Sequence, residues 1–114
     1  MFGYSNIKIC LSDNHAIIIK LTIMNYEDVN LREATIVDVR TPGEYAMGCV
    51  EGSVNIPLDQ VPHRIEEFKA MKKPLVLCCA SGGRSGQATQ FLQANGIEGV
   101  YNGGGWNMVA MRMN

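Results

Sequence analysis

The apolar positions of the chain fall into short runs separated by amphipathic stretches. The runs Thr35–Val39 and Leu75–Cys79 are almost continuously apolar or β-branched, which is typical of strands covered on both faces. Apolar residues spaced three and four apart predict a helix from Asp59, as its cap, to about Met71, and another from Ser85 to Asn95. This alternation predicts an α/β fold with a central, mostly parallel sheet and helices on both faces.

Shorter segments complete this alternation. The sequence Thr-Pro-Gly-Glu at 41–44 predicts a helix start, with a threonine cap, proline in the first turn and glutamate closing a capping box. Short strands are predicted at 55–58 and 97–101. An apolar helical tail is expected to close the core through three methionines: Met108, Met111 and Met113.

The N-terminal residues 1–23 are predicted to form an extension or hairpin of uncertain role. Two apolar runs, 7–11 and 16–23, flank turn-forming residues. Charged residues interrupt the stretch, so a secretory signal is disfavoured. A single domain is then expected over residues 24–114, a length sufficient for one core.

Composition excludes several classes of function. The formal net charge of the 114-residue chain is −1, which indicates no nucleic-acid or membrane-surface partner. No apolar run has the length needed to span a bilayer. The cysteines, Cys10, Cys49, Cys78 and Cys79, have neither a disulfide-framework spacing nor a metal-ligand spacing. Reduced thiols in the cytoplasm fit this pattern best.

The segment from Cys79 to Ser85 has the composition of an anion-binding loop. A strand delivers Cys79 into a glycine-rich turn, and a helix start closes it. The N–H groups of such a loop can converge on an anion, and the positive end of the helix dipole adds to their effect. Gly82 and Gly83 permit unusual backbone angles and keep side chains out of the loop. A thiol held there is expected to have a lowered pKa.

The two adjacent cysteines imply different chemistry. Counted from Cys79, the pattern Cys-x-x-Gly-x-Arg-Ser resembles the active-site loop of rhodaneses, sulfurtransferases that carry sulfur as a cysteine persulfide. Counted from Cys78, Cys-x5-Arg-Ser resembles a protein phosphatase signature with a wider loop. Both families usually have glycine three positions after the nucleophile, which is Gly82 for Cys79 but Ser81 for Cys78. Cys79 is therefore the predicted nucleophile, and Cys78 is expected to face the opposite side of the strand.

A second segment resembles the same family. Residues 38–45, Asp-Val-Arg-Thr-Pro-Gly-Glu-Tyr, followed by Gly-Ser-Val-Asn-Ile-Pro-Leu at 52–58, are similar to its first sequence signature. The resemblance implies that Asp38 and Arg40 support the fold around the site. Cys49 stands where many members have histidine. The likeness is greatest to the small phage-shock-type rhodaneses.

The resemblance also suggests how the loop is held. Arg84 either draws an anionic donor to the loop or, as we favour, braces it against a carboxylate such as Glu44. The glycine run Gly103–Gly105 is expected to pack close to the loop. Trp106 either walls the loop or packs in the core.

The function implied by the resemblance is sulfur transfer. Cys79 would take the sulfane sulfur of thiosulfate or a related small anionic donor, and a thiol (a protein thiol included) or cyanide would accept it. Backbone N–H groups would hold the anionic outer sulfur, and these belong to Ala80, Ser81, Gly82, Gly83, Arg84 and Ser85. Neither a metal nor an organic cofactor is implied.

Two alternative functions stay open. One is a non-catalytic persulfide carrier or binding module, which would need the same loop. The other is a cysteine-dependent phosphatase or arsenate reductase that uses Cys78. Because some phage-shock-type rhodaneses are exported, a periplasmic location is the alternative to the cytoplasm.

Overall fold

The computed structural model describes residues 25–114, so the predicted N-terminal hairpin and Cys10 lie outside the described residues. The strands are β1 (Thr35–Asp38), β2 (Val54–Asn55), β3 (Leu75–Cys79) and β4 (Val100–Gly105). The α-helices are α1 (Pro42–Ala46), α2 (Ile65–Ala70), α3 (Gly83–Ala94) and α4 (Trp106–Met113). Short 3-10 helices occupy Tyr26–Asp28, Leu31–Glu33 and Leu58–His63.

The sheet has the order β2-β1-β3-β4, and each neighbouring pair is parallel. The predicted α/β architecture is therefore confirmed. β3 lies between β1 and β4, and all five of its residues are buried. The carboxyl end of β3 carries Cys79. Parallel α/β folds bind their ligands just outside the carboxyl ends of the strands, so Cys79 lies where a ligand is expected.

Hydrophobic side chains cover both faces of the sheet. One cluster contains side chains of α2, α3 and the 3-10 helix at 58–63, including Val61, Phe68, Ala88 and Leu92. The other contains α4 and the turns before β1, including Val29, Leu31 and Val109. Because successive strand residues point to opposite faces, Cys79 joins the first cluster and Cys78 the second.

The segment predicted as one helix over 59–71 is two elements. Its first half is the 3-10 helix, which contains Pro62. The helical conformation is interrupted at Arg64, and α2 begins at the next residue. Proline lacks the N–H donor and its ring clashes with the preceding turn of an α-helix. The predicted cap at Asp59 is therefore wrong: the 3-10 helix begins after Pro57, without a side-chain cap.

The last strand begins later than the predicted 97–101 and continues through the glycine run. Sequence propensity argues against glycine in a strand. Here, however, a Cβ on Gly103 would lie 2.7 Å from Cγ1 of Val76 on β3, so packing requires glycine. The register between β3 and β4 shifts by one residue after Leu77, which is a bulge of the kind that re-aims a strand beside a site.

The methionine-rich tail does not close the core in the predicted way. Met108 and Met111 are 58% and 66% exposed, so this expectation is wrong for both. The buried side of α4 is formed by Val109, with Ala110 and Met113 packed beside it. Among residues 25–114, no helix is both long enough and apolar enough to cross a membrane.

A buried ion pair fixes the end of β1. Asp38 is fully buried, and its carboxylate accepts hydrogen bonds from Arg40 Nε at 2.9 and 3.0 Å and from Arg40 Nη2 at 2.7 Å. The same Nη2 donates to the carbonyl of Gly48 at 2.7 Å. The guanidinium also stacks on the Trp106 ring, 4.9 Å from its centroid. This pair therefore connects β1, the segment after α1 and the start of α4.

We predict that Asp38→Asn lowers the free energy of unfolding by about 3–5 kcal/mol, because it leaves the buried guanidinium of Arg40 without its counter-charge. Glu67→Gln is the matched control, since Glu67 pairs with Arg64 at the surface and exposed pairs contribute about 1 kcal/mol or less. Urea denaturation measures both variants. Equal losses in the two variants would contradict a supporting role for the buried pair.

Candidate active site

The chain forms a cup at the carboxyl end of β3. The strand ends at Cys79, the backbone turns at Gly82 with φ = 105°, and α3 begins at Gly83. This φ lies in the left-handed region that glycine adopts without strain. The turn directs the first N–H groups of α3 back toward the end of the strand, where the helix dipole favours negative charge.

Several donors converge on the Cys79 sulfur. The Gly82 N–H donates to Sγ at 3.0 Å, and the Ser85 N–H and hydroxyl each lie 3.4 Å from it. The Cys79 residue is only 1% exposed. Hydrogen bonds from the protein therefore replace the water that a buried thiolate would lose.

Burial and hydrogen bonding shift the pKa of the Cys79 thiol in opposite directions. Burial raises the pKa, but hydrogen bonds from the Ser85 side chain and from the N–H groups of Ser85, Ser81 and Gly82 outweigh it and lower the pKa to about 7. A thiol with this pKa is about half ionised at neutral pH. Thiolates, not thiols, are the nucleophilic form of cysteine.

The neighbouring cysteines have different environments. Cys78 is fully buried on the opposite face of the sheet. Burial, with the nearby negative charge of Asp38, raises the pKa of its thiol to about 12. Cys49 is a half-buried free thiol. Cys79 thus lies at a helix N-terminus and has a lowered pKa, whereas the pKa of the adjacent Cys78 is raised.

Arg84 connects the cup to α1. Its Nη1 and Nη2 donate to the two carboxylate oxygens of Glu44 at 2.8 and 3.0 Å. Mainly through this contact, the pKa of Glu44 is lowered to about 2. Glu44 also closes the capping box with Thr41 that the sequence predicts. The charge of Arg84 is thus largely neutralised, which is the arrangement a brace requires.

The glycine run of β4 lies against the cup. A Cβ on Gly105 would lie 2.9 Å from the carbonyl oxygen of Ala80, and a Cβ on Gly82 would lie 3.3 Å from Cα of Gly104. Trp106, in contrast, packs with the cluster on the other face, against Arg40 and Gly48. Core packing, rather than a wall for the cup, is therefore its observed role.

Asn102 is a site residue that the sequence analysis missed. Its Oδ1 accepts the Ser85 hydroxyl at 2.6 Å and the Gly104 N–H at 3.0 Å, while its Nδ2 donates to the Gly82 carbonyl at 3.1 Å. The Ser85 hydroxyl has a single proton, so Asn102 competes with the Cys79 sulfur for it, while the Asn102 amide holds the backbone turn whose Gly82 N–H contacts the sulfur. The only signal in the sequence was an amide side chain leading directly into a glycine run.

The other titratable side chains of the described residues do not form a metal centre. Within residues 25–114, no group of three His, Cys, Asp or Glu side chains is arranged to hold a metal ion. His63 lies exposed on the 3-10 helix before α2.

Comparisons of the sequence and of the structure with known proteins find members of one family. The model of the rhodanese-like domain family matches residues 24–110. The thiosulfate sulfurtransferase PspE of Escherichia coli is 40% identical over 76 residues, which cover 66% of this chain and 73% of PspE. The uncharacterized protein YqhL of Bacillus subtilis is 42% identical over 71 residues, which cover 62% of this chain but only 56% of YqhL. A solved rhodanese with anions from E. coli has a TM-score of 0.62 and 36% identity, and the match covers 68% of this chain and 92% of that one.

We predict that alkylation of Cys79 by iodoacetamide is half-maximal near pH 7, against about 8.5 for an ordinary cysteine. The rate should fall below this pH, because the thiol is then protonated. Mass spectrometry of the Cys79 peptide at each pH measures the rate. A midpoint at or above pH 8.5 would contradict stabilisation of the thiolate.

We predict that Asn102→Asp raises the pKa of Cys79 by about 1. The substitution adds a negative charge beside Ser85 and removes the amide donor to the Gly82 carbonyl. Asn95→Asp is the control, since it makes the same charge change at the far end of α3. The alkylation profile measures both variants, and equal midpoints would show that Asn102 does not act on the sulfur.

Proposed function

The chain belongs to the rhodanese-like family, and we propose on this basis that it is a single-domain sulfurtransferase that carries sulfane sulfur as a persulfide on Cys79. One observation carries the proposal. The backbone N–H donors of Gly82 and Ser85 converge on a buried sulfur at the start of a helix, which is the arrangement that a covalent sulfur intermediate needs.

The first half-reaction loads the cysteine. The Cys79 thiolate attacks the sulfane sulfur of thiosulfate or a related donor. The new Sγ–S bond forms as the S–S bond of thiosulfate breaks, and sulfite leaves with the bonding electron pair. The negative charge that started on Sγ is then carried by the outer sulfur of the persulfide.

The first turn of α3 supplies donors for this outer sulfur. In the part of the chain that the structure describes, the N–H groups of Gly83 and Arg84 have no backbone acceptor, as is usual for the first residues of a helix. These groups, with those of Ala80, Ser81, Gly82 and Ser85, form the proposed binding surface for the anion.

The second half-reaction releases the sulfur. Cyanide or a thiolate attacks the outer sulfur, the Sγ–S bond breaks, and Cys79 leaves as a thiolate. The lowered pKa of Cys79 assists this step, because a thiol of lower pKa is a better leaving group. Asp38, Arg40, Glu44 and Arg84 are proposed to support the cup rather than to touch the transferred sulfur.

The phosphatase alternative is disfavoured by the environment of Cys78. That thiol is fully buried on the other face of the sheet, and its pKa is raised to about 12. Such a thiol would be almost entirely protonated at neutral pH and therefore unable to act as a nucleophile. A persulfide carrier would use the same cup as an enzyme. Only a measurement of repeated catalytic turnover distinguishes these two functions.

The test is intact mass after incubation with thiosulfate, followed by thiocyanate production when cyanide is added. We expect wild type and Cys78→Ala to gain one reducible sulfur atom, and Cys79→Ser to gain none. Repeated turnover with cyanide supports the enzyme, whereas loading without turnover supports the carrier. An adduct that persists in Cys79→Ser but disappears in Cys78→Ala would overturn the choice of nucleophile.

A further inference from the structure

A groove of about 490 Å³ opens beside the cup. One wall is the segment that contains the 3-10 helix before α2, and the other is α3. Val39 and Thr41, which follow β1, complete the lining. Most of the lining is apolar: Val39, Pro57, Leu58, Val61, Pro62, Ala88 and Phe91. The polar lining residues are Thr41, Asp59, Arg84 and Gln87.

The wall formed by α3 is a single stripe of that helix. Arg84, Gln87, Ala88 and Phe91 recur at spacings of three and four and therefore lie on one face. The stripe begins at the rim of the cup, since Arg84 immediately precedes Ser85, and seven residues of helix span about 10 Å. At this end, Val39 and Ala88 pack in the same cluster as Cys79. The groove thus begins beside the cup, at Arg84, and runs along the helix, although Cys79 itself is not part of its lining.

The charge of the groove argues against an anionic occupant. Glu44 accepts hydrogen bonds from Nη1 and Nη2 of Arg84, and Asp59 on the opposite wall adds a negative charge. Thiosulfate, a small dianion, therefore gains little from this surface. An uncharged apolar chain, in contrast, would bury hydrocarbon against Leu58 and Phe91.

The size of the groove argues for a small molecule rather than a protein surface. Its volume falls within the range of about 300–1,000 Å³ that is typical of small-molecule sites. A specific protein interface commonly buries about 800 Å² on each partner, which is more than a groove of about 10 Å in length offers.

From these contacts we propose that the groove binds the apolar body of a low-molecular-weight organic thiol, which accepts sulfur from Cys79. The inference rests on the proposed function and names the class of acceptor. The thiol sulfur lies at the cup, and an uncharged chain of up to about 10 Å lies along α3 between Leu58 and Phe91.

The reaction with such an acceptor balances without any further reagent. The thiol R–SH loses its proton, and R–S⁻ attacks the outer sulfur of the Cys79 persulfide. The Sγ–S bond breaks as the R–S–S bond forms, and Sγ leaves as a thiolate. The proton from R–SH ends on the terminal sulfur, so the product is R–S–SH.

The first experiment compares propane-1-thiol with hexane-1-thiol as acceptors for the persulfide of the full chain. The two thiols have the same reactive group and differ only in three methylenes. We expect kcat/KM to be about tenfold higher for hexane-1-thiol. This factor corresponds to burial of roughly half of the surface of the three additional methylenes. Equal values for the two thiols would overturn the proposal.

A matched pair of variants locates the effect. Gln87 and Gln90 are both exposed on α3, but only Gln87 lines the groove. Gln87→Trp should fill the groove and bring the hexane-to-propane ratio of kcat/KM close to 1, whereas Gln90→Trp should leave the ratio near that of wild type. An unchanged ratio in Gln87→Trp would overturn the assignment to this groove.

A second readout does not depend on sulfur transfer. Propyl and hexyl methanethiosulfonate convert the Cys79 thiolate into a mixed disulfide and release methanesulfinate. We expect faster reaction with the hexyl reagent, and loss of this preference in Gln87→Trp. If no persulfide forms but this preference is found, the proposed function fails while the groove assignment stands. If the persulfide forms but the preference is absent, the groove assignment alone fails.

Discussion

A negative charge on a buried sulfur is stable only where hydrogen bonds replace the water it has lost, and the structure around Cys79 meets this constraint. The donors belong to Gly82 and to Ser85 in the first turn of α3. They converge because the strand ends, the chain turns and the helix begins within four residues. The same burial that would suppress ionisation thus keeps water from competing for these donors.

Side chains from neighbouring elements stabilise the turn between β3 and α3. Arg84 ties the first turn of α3 to the helix after β1 through Glu44. Asn102 ties the turn to β4. On the other face of the sheet, the buried Asp38–Arg40 pair fixes the end of β1. Polar side chains, each with its partner, therefore join three neighbouring strands near their carboxyl ends.

The adjacent cysteines show how strand geometry separates two identical functional groups. Cys78 and Cys79 differ by one position, which reverses the face of the sheet. Cys79 meets the start of a helix, whereas Cys78 meets apolar side chains and the carboxylate of Asp38. Their pKa values consequently move in opposite directions, and the apolar groove opens on the same face as Cys79.

The sequence by itself determined the α/β fold, the capped start of α1 and the cysteine loop, because periodicity, caps and turn residues are local signals. The helix expected over 59–71 is divided at the 3-10 helix that contains Pro62, and the strand expected at 97–101 lies at 100–105 because packing against β3 outweighs the low strand propensity of glycine. Asn102 and the groove were decided only by tertiary structure. Each depends on segments that are distant in the chain: Asn102 donates a hydrogen bond to Gly82, and Leu58 and Phe91 line the same groove. No local pattern encodes that proximity.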